Sequence, residues 1–145
     1  MPTALRTVLL LLAALAAGTL AAVFTARQVS VEAQGPMVYE LRTYVTLPGR
    51  LPNLQARFRN HTTRLFEKHG MKNIGYWVPQ DPPASENTLI YIIAHKSRDA
   101  AKASWDAFRK DPDWIKARDA SEADGKIVDK ITSVYMTATD YSALK

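Results

Sequence analysis

The chain has no cysteine among its 145 residues. That excludes thiol nucleophiles, CxxC redox chemistry and cysteine-ligated metals, and it leaves the fold without disulfide support. No HxH, HExxH or comparable spacing joins the three histidines, so no metal site is expected. Glycine-rich phosphate loops of the G-x-x-x-x-G-K-[ST] and G-x-G-x-x-G kinds are also missing, and no cofactor is expected. Ser97, Ser104, Ser121 and Ser133 lack the context of an activated nucleophile. The balance of 19 Lys+Arg against 14 Asp+Glu is mildly basic, with no long run of one sign. Arg57, Arg59, Arg64 and Lys68 recur along one predicted helix and read as its solvated face, with contact to phosphates or anionic lipid as the alternative. No recognition motif for nucleic acid occurs, and no such partner is expected.

What is present begins with an N-terminal apolar run. Arg6 precedes an uncharged stretch from Val8 to Phe24, and a polar segment follows as far as Ala33. A basic start, an apolar middle and a small residue before the cut are the order of an export signal. Val31-Glu32-Ala33 fits the cleavage rule, with Leu20-Ala21-Ala22 as a second site. The run is long for a cleaved leader and just short of a standard span, so leader and uncleaved anchor both stay open. Residues 1–33 are therefore read as a signal segment and residues 34–145 as one domain. That domain is expected to be exported, periplasmic or secreted, or held at the membrane through its N-terminal segment alone. Its size suits a modest single core.

Met37–Thr46 alternates like a strand, with Tyr39, Leu41, Thr43 and Val45 on one face and Val38, Glu40, Arg42 and Tyr44 on the other. Leu47-Pro48-Gly49 breaks it. A helix follows from Leu51 to Lys68 on the apolar stripe Leu51, Leu54, Phe58, Thr62 and Leu65, closed by Gly70. Asn73–Val78 alternates as a second strand, Pro79–Asn87 reads as a loop, and Thr88–His95 is a strand apolar on both faces. Ser97 and Asp99 mark the start of a second helix with Ala101, Trp105 and Phe108 inward. Asp111-Pro112-Asp113 interrupts that helix, which resumes from Trp114 to about Ala123 and stops before Gly125. Ile127–Ala138 is the last strand. The order βαββαβ predicts an α+β, ferredoxin-like fold: a four-stranded antiparallel sheet with helices on one face. The helix-free face of such a sheet is polar where it meets water. Here the third strand is apolar on both sides, so a cover is needed. The same face of a second copy, burying roughly 800 Å² per partner, is the simplest one, and a homodimer is expected.

Several segments resemble the NIPSNAP family, over nearly all of residues 34–145. They are Tyr39-Glu40-Leu41-Arg42-Thr43-Tyr44 with Pro48-Gly49, Leu65-Phe66-Glu67-Lys68-His69-Gly70, and Gly75-Tyr76-Trp77. Trp105-Asp106-Ala107-Phe108 with Asp111-Pro112-Asp113-Trp114, and the closing Thr139-Asp140-Tyr141-Ser142, are similar to it as well. The resemblance implies a ferredoxin-like domain that pairs sheet to sheet as a dimeric α/β barrel. It implies no catalytic residues, since the family has no agreed set. Small cofactor-free monooxygenases share that barrel, but a fold transfers no activity.

Glu40 and Arg42 are expected on the helix-free face, lining the lumen of such a barrel. There they would hold a polar ligand, move protons, or form a structural ion pair across the seam. Tyr44, Tyr76, Trp77, Tyr91 and Tyr135 supply aromatic walls or core. His95 ends the third strand on the face of Tyr91 and is expected at a cavity mouth. His61 is expected to pack at the border of the first helix's stripe, and His69 to complement that helix's C-terminal dipole. Three functions fit these residues. One is a dimeric module that binds a small apolar or amphipathic ligand or docks another protein. The alternative is a cofactor-independent monooxygenase- or isomerase-like enzyme, with Glu40 or His95 as base and Arg42 steadying an anion. The third is a structural dimer with a packed lumen.

Overall fold

A computed structural model of the protein describes residues 35–144, so the assignment of residues 1–33 as a signal segment lies outside the described residues. Strands β1 (Val38–Thr46), β2 (Lys72–Trp77), β3 (Thr88–His95) and β4 (Val128–Thr137) form one sheet in the order β2-β3-β1-β4. Each neighbouring pair is antiparallel, and Arg42 stands opposite Tyr91 on one side and Ser133 on the other. This is the predicted ferredoxin-like topology: each βαβ crossover skips a place that another strand fills.

The first helical run has three pieces: α1 (Leu51–Arg57), a π-helical turn (Phe58–Thr62) and α2 (Thr63–Lys68). Within this wider turn two hydroxyls add bonds to backbone carbonyls, and that of Phe58 also accepts from Thr63 N–H. Thr62 Oγ1 donates to the Arg57 carbonyl and Thr63 Oγ1 to that of Phe58, each at 3.3 Å. Thr62 points inward, whereas His61 is exposed rather than packed at the stripe's border as expected. At the C-terminus Gly70 takes a φ of 76°, which a side chain would strain. This lets Met71 N–H reach the Phe66 carbonyl at 2.9 Å and Gly70 N–H reach that of Glu67 at 3.0 Å, a Schellman closure.

The stretch expected to be a plain loop, Pro79–Asn87, carries a single helical turn, α3 (Ala84–Asn87). Helix α4 (Arg98–Lys110) is capped as expected, the Ser97 hydroxyl accepting from Ala100 N–H at 3.0 Å. Asp111 then does three things. It ends α4, it caps α5 (Pro112–Ser121) through Asp113 N–H, and it binds His69 Nε2 at 2.6 Å and Lys68 Nζ at 2.8 Å. Hydrogen bonds from Lys68 and His69 hold its carboxyl well below the usual range. The end of α2 is thereby tied to the α4–α5 junction.

The two faces of β1 are the reverse of the expectation. Glu40, Arg42 and Tyr44 face the helices, in register with Ile93, Tyr91 and Leu89 of β3. The other face holds Leu41, Val45, Ile90, Ile92, Val134 and Met136, so its exposed side chains are mostly apolar; Val134 is 55% exposed. Alternation tells which residues share a side, but the packing of the helices decides which side they cover. Among the described residues, no helix is long and apolar enough to cross a membrane.

The core lies between the sheet and the helices, and six of its thirteen buried residues are aromatic. Phe66 meets the rings of Phe58, Tyr91, Trp105 and Phe108 with centroids 5.0 to 6.1 Å apart. Phe66→Ala should therefore cost about 3–5 kcal/mol, read as a shift in the denaturant midpoint. A loss below about 1 kcal/mol would contradict this placement of the core.

Candidate ligand-binding cleft

Arg98, Lys102, Trp105 and Arg109 stand on α4 at steps of four, three and four, so they share one helical face. The last strand is poorly covered: all of β4's ten residues except Val128, Tyr135 and Met136 are exposed. Between that helical face and the strands β1 and β4 a cleft of about 470 Å³ opens to solvent. Glu40, Arg42, Ser133 and Tyr135 line its sheet side, and Asp99 completes the wall.

Glu40 organises this wall. It is 1% exposed, and its carboxylate accepts four hydrogen bonds. Arg42 Nη1 and Ser133 Oγ donate to Oε1, each at 2.6 Å; Trp105 Nε1 donates to Oε2 at 2.7 Å. His95 Nε2 lies 3.0 Å from Oε2, so that nitrogen carries the hydrogen. Burial alone would push the carboxyl's pKa up, but the bonds from His95, Ser133, Trp105 and Arg42 outweigh it and hold the value at about 2. A carboxylate so committed is a poor base near neutral pH, where a general base needs a pKa close to the working pH.

Arg42 is fixed on two sides. Its guanidinium carbon lies 4.3 Å from the centre of the Trp105 ring while one nitrogen holds Glu40. Tyr135 carries the Arg98 guanidinium 3.4 Å above its ring centre. Burial, and then the Glu40 charge, push the Tyr135 phenol up, so it stays protonated at neutral pH. This arrangement can bind and orient a polar group. No group of three or more metal-ligating side chains occurs among the described residues.

The residues singled out in the sequence divide among three places. Glu40, Arg42 and Tyr135 meet at the cleft, on the helix side of the sheet and not in a lumen on the other side. His95 sits behind Glu40, 1% exposed, and forms no part of the cleft wall. Tyr44 and Tyr91 are core residues. Tyr76 and Trp77 border a second cleft of about 360 Å³ at the β2 edge, with Phe58, Val78 and Leu89. Trp105 was legible only as core, and Ser133 only as a serine without a nucleophile's context. The basic residues of α4 were not singled out, although their spacing placed them on one face.

The NIPSNAP family profile matches residues 39–143. The chain belongs to the NIPSNAP family. No curated protein matches it in sequence. A NIPSNAP family protein of unknown function from Agrobacterium tumefaciens has 22% identity and a TM-score of 0.65, over 76% of this chain and 95% of that one. A NIPSNAP-like domain protein from Burkholderia xenovorans has 13% identity and a TM-score of 0.63, over 73% and 88%. A cofactor-independent oxygenase from Streptomyces nogalater has 12% identity and a TM-score of 0.51, over 74% and 98%. At these identities the structural likeness carries the fold of the NIPSNAP domain alone.

The pH dependence of stability tests the Glu40 network. Glu40 stays ionised down to about pH 2 in the folded chain, against an ordinary value of 4.5. Its contribution is thus complete above the unfolded value and is lost as pH falls toward 2. The stability difference between wild type and Glu40→Gln should shrink by about 3 kcal/mol between neutral pH and about pH 2, measured by chemical denaturation. A difference independent of pH would contradict the network.

Proposed function

We propose that this protein is an exported, homodimeric small-molecule-binding module whose ligand site is the cleft beneath α4. The observation that carries this reading is the saturated Glu40 carboxylate at the wall of an open cleft. It holds Arg42 in place and is itself too strongly bonded to take a proton at neutral pH. A concave site with a few fixed polar groups is what small-molecule recognition needs. The aromatic cleft at the β2 edge is a better match for an apolar or amphipathic ligand and provides a second place for one.

Dimerisation through the helix-free face accounts for Leu41, Val45, Ile90, Ile92 and Val134 on a surface that would otherwise meet water. Export is supported by the basic start and apolar run before Thr25. A second reading, an oxygenase-like enzyme without cofactor, draws on the Glu40–His95 pair, a carboxylate orienting an imidazole. It requires His95 to reach a cleft that it does not line.

Native mass spectrometry on protein recovered from the exporting cell tests the proposal. The expected species is a dimer beginning at Gln34 that carries extra mass lost on denaturation. A monomer, or a dimer with no bound mass under any growth condition, would overturn it. Val134→Glu places a charge in the proposed seam and should yield a folded monomer by light scattering, with an unchanged circular dichroism spectrum. A variant that stays dimeric would remove this face from the interface.

A further inference from the structure

The charges around the α4 cleft are unequally matched. Glu40 is buried and satisfied by its four donors. Asp106, just outside, is shared by two cations, Lys102 at 3.1 Å and Arg109 at 2.6 Å. Arg98 has no ion-pair partner among the described residues, although it lines the cleft. Positive charge is therefore left over, with Asp99 the one lining carboxylate not already engaged.

The Tyr135 ring also holds Arg98 in place, its guanidinium carbon 3.4 Å from the ring centre. A guanidinium flat on a ring keeps its N–H edges free for other acceptors, and being held already it loses less freedom when it binds. Each of the two aromatic rings lining the cleft carries a guanidinium, Arg42 on Trp105 and Arg98 on Tyr135. The wall thus offers planar cations where a bare aromatic slot would favour an apolar ligand. The guanidinium fork matches a carboxylate with two parallel bonds. A volume of about 470 Å³ exceeds what a bare ion needs and lies in the range of small organic ligands.

We propose that the α4 cleft takes a small organic anion through its carboxylate, with Arg98 as the principal charge partner. This rests on the cleft being the ligand site. Glu40 and Arg42 form the fixed wall behind the ligand, Lys102 and Arg109 add positive field, and Asp99 at the rim opposes an excess of negative charge.

The test is calorimetric titration of the full chain, wild type and Arg98→Ala, with benzoate, succinate, benzamide and inorganic phosphate at low and high salt. Benzoate or succinate should bind wild type, with an affinity that falls as salt rises. Arg98→Ala should weaken that binding by about tenfold or more. Its melting temperature should stay near that of wild type, since Arg98 is exposed. Asp99→Asn, which removes the opposing charge, should tighten binding, and neutral benzamide should not bind.

Benzamide binding as tightly as benzoate, with chemical shifts changing at Trp105 and Tyr135, would keep the cleft as a ligand site and overturn the anion. Phosphate binding as tightly as the carboxylates would overturn the organic class. Equal affinity in Arg98→Ala would remove that residue from the role assigned to it. No binding by any probe, and no shift at Trp105 or Tyr135, would overturn both this inference and the cleft itself.

Discussion

A carboxylate buried at the centre of the sheet sets the terms for the rest of the domain. Taking the Glu40 charge out of water costs several kcal/mol unless nearly every lone pair is met. Here the donors come from β1 itself, β3, β4 and α4. The compensation works only when all of these elements are in place together. It therefore specifies the strand register, because a slip of one residue would turn Ser133 or His95 to the opposite face. It also specifies the rotation of α4, because the Trp105 indole must point down to the sheet.

The same network divides the helix-facing side of the sheet into two regions. Over β2 and β3, α1 and α2 close an aromatic core around Tyr91 and Phe66. Toward β4 the helical cover runs out, and the sheet ends in polar groups beside an open cleft. Trp105 belongs to both regions: its ring packs on Phe66 while its N–H holds Glu40. A change in core packing is thus felt at the cleft wall through one side chain. The opposite face has no such division and is apolar across β1 and β3. This domain therefore presents one sheet with two different surfaces, polar groups beside the α4 cleft and mostly apolar side chains on the bare side.

Much of this was legible in the residues because it depends on local geometry. The stripe Leu51, Leu54, Phe58, Thr62 and Leu65 is buried throughout, as its spacing requires. Gly70 and Ser97 close and open their helices as their backbone and side-chain chemistry demand. The π turn was not legible. There the Thr62 and Thr63 hydroxyls add to the backbone bonds of the wider turn, a choice no spacing rule signals. Glu40 and Arg42 were recognised as an unusual pair but assigned to the wrong face. The expectation followed the rule that charges avoid the covered side, and that rule yields once a carboxylate finds enough donors there.

The sequence by itself determined the four strands and the main helices, their order, the family, the members of each face of the first strand and the apolar surplus on the third. These depend on neighbours within a few positions, where helical and strand periodicity act directly. Tertiary structure alone decided which face of β1 the helices cover, and so whether Glu40 and Arg42 serve a seam or a cleft. The reason is distance along the chain. The donors His95, Trp105 and Ser133 lie 55, 65 and 93 residues from Glu40, and only the strand register and the packing of α4 bring them to one carboxylate.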